Sequence, residues 1–312
     1  MNCCTYFDYK FLVQGLSCIY TYKKYHKEAF FYILALDKKT IFKLKSLKLD
    51  YIFVIDLNLI LKKYPYLKKQ KKMRNLSEFY FMLTPHLIHY IFNNFKKKNL
   101  IYLDADLIFF SNLNRLKKKF KYYDILASYH DYNDNKYNSV GKYNVGFLFF
   151  KRNSRVLNQL KIWMKQCLIS TTIDENYAEI ICGDQKYIES WADNKKINFS
   201  GIKIKNFNIG GWNINSKKFT LKNNKMLCDN SKLYSIHANF IELDLDKGFF
   251  KSSSSRNFNK YCYNMQLRHI YENTCKLYDI KIMCNKINFL NIKYLVLKYI
   301  TKNLYDLRNK VK

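Results

Sequence analysis

Residues 99–112 read NLIYLDADLIFFSN, an apolar run broken by two aspartates one residue apart. Leu100, Ile101, Tyr102 and Leu103 predict a buried strand, and the chain is apolar again from Leu107 through Phe110. Nothing in a core calls for Asp104 and Asp106, because an unpaired buried carboxylate is costly. In an extended chain residues i and i+2 point to the same side, so both carboxylates can face one point in space. A divalent cation bound to a diphosphate suits that point. Mg²⁺ and Mn²⁺ take carboxylate oxygens and leave coordination positions for phosphate.

Working outward, the preceding residues alternate strand-like and helix-like segments. Strands are predicted over 2–6, 30–36 and 51–55, with helical spacing over 11–22 and 41–47. This order is the signature of a parallel wound sheet, which binds ligands beyond the carboxyl ends of its strands. Asp8, Asp37, Asp56 and the Asp104/Asp106 pair all fall near such ends. The basic stretch 61–74, LKKYPYLKKQKKMR, reads as loop or solvated helix. Residues 75–95 carry helical periodicity, with Thr84-Pro85 as the cap and first-turn proline of a second helix. His86 and His89 on that helix read as surface or core-edge residues.

Past the aspartates, strands are predicted over 124–128 and over 143–150, YNVGFLFF, separated by a polar loop at 130–142. An amphipathic helix over 156–168 bears Trp163. Residues 183–191, GDQKYIESW, open another helix with Asp184 at its N-terminus. A short strand at 202–204, a Gly/Asn loop at 207–215 (FNIGGWNIN) and a strand at 233–236 that delivers His237 complete this part. Serines 252–255 read as a linker. The chain thus divides into an α/β domain over 1–250 and a basic, helical C-terminal extension over 251–312.

Composition sets outer limits. The 312 residues are 48% hydrophobic, ample for a globular core, and Lys+Arg number 55 against 24 Asp+Glu, a formal net charge of +31. Two prolines and eight glycines, beside abundant Lys, Asn, Ile, Tyr and Phe, are what AT-rich coding produces, so part of the charge is compositional. Its functional readings are an anionic membrane surface, an anionic substrate or nucleic acid. No zinc-finger spacing or aromatic RNA-binding signature supports a nucleic-acid partner. Nine cysteines without a C-x-x-C pair argue against structural zinc and a disulfide framework, and for reduced thiols. No signal-peptide pattern and no membrane-length apolar run are present, which predicts a cytoplasmic protein or one peripheral on the inner face of the cell membrane.

Four ordered motifs, D-x-D after an apolar strand, Y-N-V-G-F opening a later strand, G-D-Q-K-Y opening a helix, and a strand ending in His, resemble GT-A fold glycosyltransferases of the family 8 type. The closest likeness is to bacterial nucleotide-diphospho-sugar transferases linked to cell-surface polysaccharide, over roughly residues 1–250. The resemblance implies a Rossmann-like, mostly parallel wound sheet and a UDP-sugar donor. It implies Mn²⁺ or Mg²⁺ held by Asp104, Asp106 and His237, and a nucleotide held near Thr5, Asp8 and Ala105. It places Asn144, Asp184 and Gln185 around the transferred sugar. Gln185 would present its carbonyl oxygen opposite the leaving group, an electrostatic role, since an amide is a poor nucleophile. Gly146 and Gly183 would permit close backbone approach. The residues themselves leave alternatives open. His237 is also compatible with a backbone hydrogen bond, Asp8 and Asp184 with helix capping.

The chain departs from the family in two places. Where relatives carry Lys-Pro-Trp after the histidine, this chain reads His237-Ala238-Asn239-Phe240, and Lys247 is the candidate replacement. Where relatives place an Arg before Leu-x-Pro, it reads Phe81-Met82-Leu83-Thr84-Pro85. Arg74 and Glu78 either serve the site or form a local i,i+4 pair. The leading expectation is a metal-dependent retaining hexosyltransferase acting on a glycan or lipid-linked glycan such as lipopolysaccharide. The alternatives are a nucleotidyltransferase or other phosphoryl-handling α/β enzyme, which lacks here its Gly-rich phosphate loop, and a silent membrane- or glycan-binding module. The tail 289–307 reads either as an interfacial helix on anionic membrane or as a helix packed on the protein.

Overall fold

In a computed structural model the described residues are 1–131, 140–172, 183–223, 225–239, 241–244, 249–252 and 258–280. The first half runs β1 (Asn2–Phe7), α1 (Leu12–Tyr25), β2 (Phe30–Ala35), α2 (Lys38–Ser46) and β3 (Ile52–Asp56). It continues with α3 (Leu57–Lys63), α4 (Tyr66–Met73), α5 (Leu76–Asn94), β4 (Asn99–Leu103) and β5 (Leu107–Phe109). The second half brings α6 (Lys117–Tyr122), β6 (Ile125–Tyr129), β7 (Tyr143–Lys151), α7 (Ser154–Ile169), α8 (Glu189–Asp193) and β8 (Phe199–Ile202). A small antiparallel sheet of β9 (Phe219–Lys222), β10 (Lys225–Cys228) and β11 (Ser231–Lys232) follows, then β12 (Ser235–His237). The hairpin β13 (Ile241–Asp244) and β14 (Phe249–Ser252) and the helix α9 (Phe258–Leu277) close the described chain.

The main sheet has the order β3-β2-β1-β4-β7-β6-β8. All neighbours pair in parallel except β7, which is antiparallel to both β4 and β6. Strand residues alternate between two apolar layers, as the two-residue period requires. Cys3, Phe31 and Ile33 face the layer that holds α1. Cys4, Tyr32 and Leu34 face the layer that holds α5 and α7. A sheet buried on both faces explains strands that read as unbroken apolar runs.

The wound order predicted from the sequence is present, and winding reverses between β1 and β4, where a wound sheet opens its ligand crevice. The antiparallel β7 has a consequence for the site. Its first residues lie at the carboxyl edge of β4, with Leu103 opposite Phe147, so residues 144–146 project past the sheet toward the aspartates.

Two helical expectations are corrected. Residues 75–95 form one helix, α5, with Pro85 inside it rather than at the start of a second. A proline in a helix interior costs about 3 kcal/mol, and burial of residues on both sides of it, Phe79 to Leu83 and Leu87 to Phe92, offsets that. His86 and His89 are buried there, not at the surface. Their ring nitrogens meet Tyr66 Oη at 2.8 Å and Tyr64 Oη at 2.6 Å, and burial lowers both pKa values to about 4.

Helix α9 lies against α1, where Ser17 Oγ donates to Thr274 Oγ1 at 2.8 Å, and Leu267, Tyr271 and Cys275 join the α1 layer. The serine run, Lys247 and the tail 289–307 fall outside the described residues or partly so: 245–248, 253–257 and 281–312 are not described. Six described cysteines are free buried thiols. No helix among the described residues is long and apolar enough to cross a membrane.

Candidate functional site

The D-x-D segment is not extended. The strand ends at Leu103 because β5 must leave the sheet to pair with β12, and residues 104–107 make a turn in which Leu107 N donates to Asp104 O at 3.2 Å. The carboxylates converge through this turn rather than through strand alternation. Two backbone bonds fix the turn: Asp104 N donates to Gly146 O and Ala238 N donates to Asp106 O, each at 2.9 Å. Pairing of β5 with β12 sets His237 opposite Leu107. Segments 130 residues apart in sequence thus meet at one point.

His237 Nε2 lies 3.0 Å from Asp106 Oδ1 and 3.5 Å from Asp104 Oδ2. The ligand atoms of all three side chains lie within 4.8 Å of one another. Burial raises the Asp104 pKa to about 6, a shift that His237 opposes and Asp106 reinforces. For His237 burial acts downward, but the two carboxylates outweigh it and the imidazole pKa rises. Two hard oxygens and one imidazole on one wall suit Mn²⁺ or Mg²⁺ with positions left for a diphosphate. The excess negative charge of the pair is what a cation would neutralise.

The cluster forms part of the floor of a cavity of about 550 Å³. Asn144, at the start of β7, is tied into its wall by four hydrogen bonds. Its Oδ1 accepts from Gly146 N at 2.8 Å and Asn208 Nδ2 at 3.0 Å. Because a backbone N–H can only donate, that bond fixes which end of the amide is oxygen. Asn144 Nδ2 then donates to His130 Nε2 at 3.0 Å and to Gln185 Oε1 at 3.3 Å. His130 accepts there because its Nδ1 donates to Gly141 O at 2.7 Å, and burial, the main cause, lowers its pKa to about 4. A neutral histidine in a defined tautomer therefore orients Asn144, and Asn144 orients Gln185.

Gly146 is required by this arrangement. A β-carbon there would stand 2.7 Å from Asn144 Oδ1 and from the His237 ring. Gly183, at φ +58, holds the left-handed turn that presents Asp184 and Gln185 to the cavity. Asp184 is not the helix cap the sequence allowed. The short helix after it starts from Gln185 without a side-chain cap, and Asp184 is 1% exposed. Burial raises its pKa to about 7, with Thr84 opposing and Asp104 reinforcing. Its Oδ2 is buried without a hydrogen-bond partner among the described residues. Its carbonyl oxygen accepts from Trp163 Nε1 at 2.9 Å, which anchors the turn to α7.

At the other end of the cavity Asp8 uses one carboxylate oxygen as a cap and the other toward the site. Phe11 N donates to Oδ1 at 3.1 Å and Tyr80 Oη donates to Oδ2 at 3.3 Å. Ala105 also lines the cavity, whereas Thr5 is fully buried in β1 and its neighbours Tyr6 and Phe7 are the lining residues. Lys247 lies outside the described residues. Arg74 serves neither the site nor a pair with Glu78. Its guanidinium donates to Leu168 O at 2.6 Å, Thr171 Oγ1 at 2.7 Å and Cys167 O at 3.2 Å, closing the C-terminus of α7.

Several lining residues were not singled out from the sequence. Tyr102 Oη donates to Asp104 Oδ1 at 2.7 Å, and the Tyr6 ring packs 5.9 Å from that of Tyr102. Trp212 stands edge-to-face with His130 and with His237, at 5.1 and 5.2 Å. Tyr6 and Tyr102 lie at strand ends, so the rule that found the aspartates reaches them too. Trp212 and Asn208 carry no such signal, because the bridge of Ile209 to Ile236 that places them is a tertiary pairing.

The model of the nucleotide-diphospho-sugar transferase family matches residues 27–279. The chain belongs to that family. Two uncharacterized proteins of Bacillus subtilis (strain 168) are related to the transferase. YfnD is 22% identical over 222 residues, 70% of each chain, and YfnF is 23% identical over 245 residues, 75% of this chain and 79% of that one. Among solved structures, mouse xyloside xylosyltransferase 1 superposes with a TM-score of 0.50 at 14% identity over 77% of this chain and 98% of its own. The glycosyltransferase GlyE of Streptococcus pneumoniae TIGR4 gives 0.51 at 13% identity over 91% of this chain and 65% of its own. The transferase has the GT-A fold expected from its motifs.

Proposed function

We propose that the transferase moves a hexose from a UDP-sugar to a cell-surface glycan acceptor, with retention, and that it depends on a divalent metal. The observation that carries this reading is the convergence of Asp104, Asp106 and His237 on the floor of a cavity whose wall holds Asn144, Asp184 and Gln185. A bound Mn²⁺ or Mg²⁺ would neutralise the charge that develops on the departing diphosphate. Asp104, Asp106 and His237 would hold it. Asp8 and Tyr80 supply hydrogen-bonding groups for the nucleoside at the far end. The buried Asp184 carboxylate, with a free lone-pair set on Oδ2, accepts from sugar hydroxyls.

Gln185 acts electrostatically. Its amide, oriented through Asn144, would stabilise the positive charge that develops at the anomeric carbon. No second carboxylate beside Asp184 stands free of the D-x-D turn among the cavity residues that face the sugar end, which favours a same-face transfer in which the leaving phosphate takes the acceptor proton. The experiment is a panel of UDP-sugars incubated with the full chain, with and without Mn²⁺, read by UDP release. Metal-dependent turnover of at least one UDP-hexose, lost in Asp106→Asn, supports the reading. Turnover that Asp106→Asn leaves intact refutes it.

A further inference from the structure

Beside the mouth of the cavity lies a surface that sugar transfer does not explain. From Leu57 to Ser77 the chain forms α3, α4 and the first turn of α5, and this stretch contains no Asp or Glu. Six of its lysines, Lys62, Lys63, Lys68, Lys69, Lys71 and Lys72, are exposed. That is about twice the lysine frequency of the rest of this basic chain. Large apolar side chains stand exposed among them: Leu59 at 46%, Met73 at 67% and Leu76 at 55%. Lys69 and Met73, one helical turn apart on α4, share a face.

Two features connect this surface to the site. Leu76 and the exposed Phe11 both line the catalytic cavity, so the apolar residues continue onto its rim, where Lys10 also lies. Arg74 bolts the α4–α5 junction to the end of α7, so the surface is rigid with respect to the active centre. Lysine alone would suit any polyanion. Exposed Leu and Met interleaved with lysine suit a bilayer, whose anionic headgroups take the ammonium groups while the apolar side chains enter the interface.

We propose that the α3–α4–α5 shoulder docks on an anionic lipid bilayer and seats the cavity mouth against it. Docking itself does not depend on the proposed function; presentation of a lipid-linked acceptor to the cavity does. The test is co-sedimentation of the full chain with phosphatidylcholine vesicles containing 30% phosphatidylglycerol, against neutral vesicles. Lys68→Ala/Lys69→Ala/Lys71→Ala/Lys72→Ala should weaken binding to anionic vesicles about a hundredfold or more, from roughly 1 kcal/mol per lysine near such a surface. Lys195→Ala/Lys196→Ala/Lys222→Ala/Lys225→Ala, equal in charge and also exposed, should change it less than twofold. Leu59→Ser/Met73→Ser, at unchanged charge, should weaken it severalfold.

Circular dichroism confirms that each variant is folded before it is compared. Equal loss in both lysine sets, or no binding by the wild type, overturns the proposal. So does a polyanion-type surface, shown by vesicle binding insensitive to Leu59→Ser/Met73→Ser. Vesicle binding without any UDP-sugar turnover would leave the docking surface standing and remove the proposed function.

Discussion

A methyl group at position 146 would collide with the two side chains that define the site, Asn144 and His237. Asn144 pairs with Ser128 in β6 and His237 with Leu107 in β5, so neither backbone can withdraw without breaking β7 or β12. Gly146→Ala should therefore lower turnover by two orders of magnitude or more while the protein remains folded, as checked by UDP release and circular dichroism. Asp184 makes a different prediction. Its pKa rises from an ordinary 3.8 to about 7 through burial, so the folded state holds this proton more tightly than the unfolded chain does. The stability this contributes is complete below about pH 4 and is lost as pH rises through about 7. In metal-free buffer, Asp184→Asn should gain on the wild type across that window, by up to ~4 kcal/mol, and stay level above it. Urea midpoints at pH 4.5 and 8 check this. A difference that does not grow with pH contradicts the buried, unpaired carboxylate.

Among the elements, the end of α7 and the α4–α5 junction are joined by Arg74, and Thr171 Oγ1 adds a bond to Glu78 O at 2.8 Å. Arg74 satisfies carbonyls at the last turn of α7 that no helical N–H can reach. Arg74→Ala leaves those carbonyls and Thr171 without their donor and should cost about 2–4 kcal/mol in urea unfolding. Arg74→Lys should recover little, since an ammonium cannot span three acceptors with a planar fork. The sequence offered Arg74 only as a site residue or a local pair with Glu78, because its partners at the end of α7 lie 93 or more residues away. Pro85 misled for a related reason. Proline is a reliable helix boundary in isolation, but an α5 buried on both sides of it tolerates the missing hydrogen bond.

Across the whole molecule, what was legible in the sequence was what strands announce. Apolar runs ending in Asp8, Asp37, Asp56 and Asp104 gave the wound order, and the ends of those runs gave the cavity. What was not legible was the direction of β7, whose apolar pattern is the same in either orientation, and the turn that closes Asp104 against Asp106. Trp212, which packs edge-to-face on His237, was hidden because its partners come from other strands and loops. His237 was found only through a family likeness, and the pairing of β5 with β12 now gives its physical reason. That three-residue set is the centre of the account, and its ability to hold a metal can be measured without turnover. Titration of Mn²⁺ into the full chain in the presence of UDP, followed by loss of the free Mn²⁺ paramagnetic resonance signal, should show one site per chain. That site should weaken at least a hundredfold in both Asp106→Asn and His237→Ala. Saturable binding that neither substitution alters would contradict it.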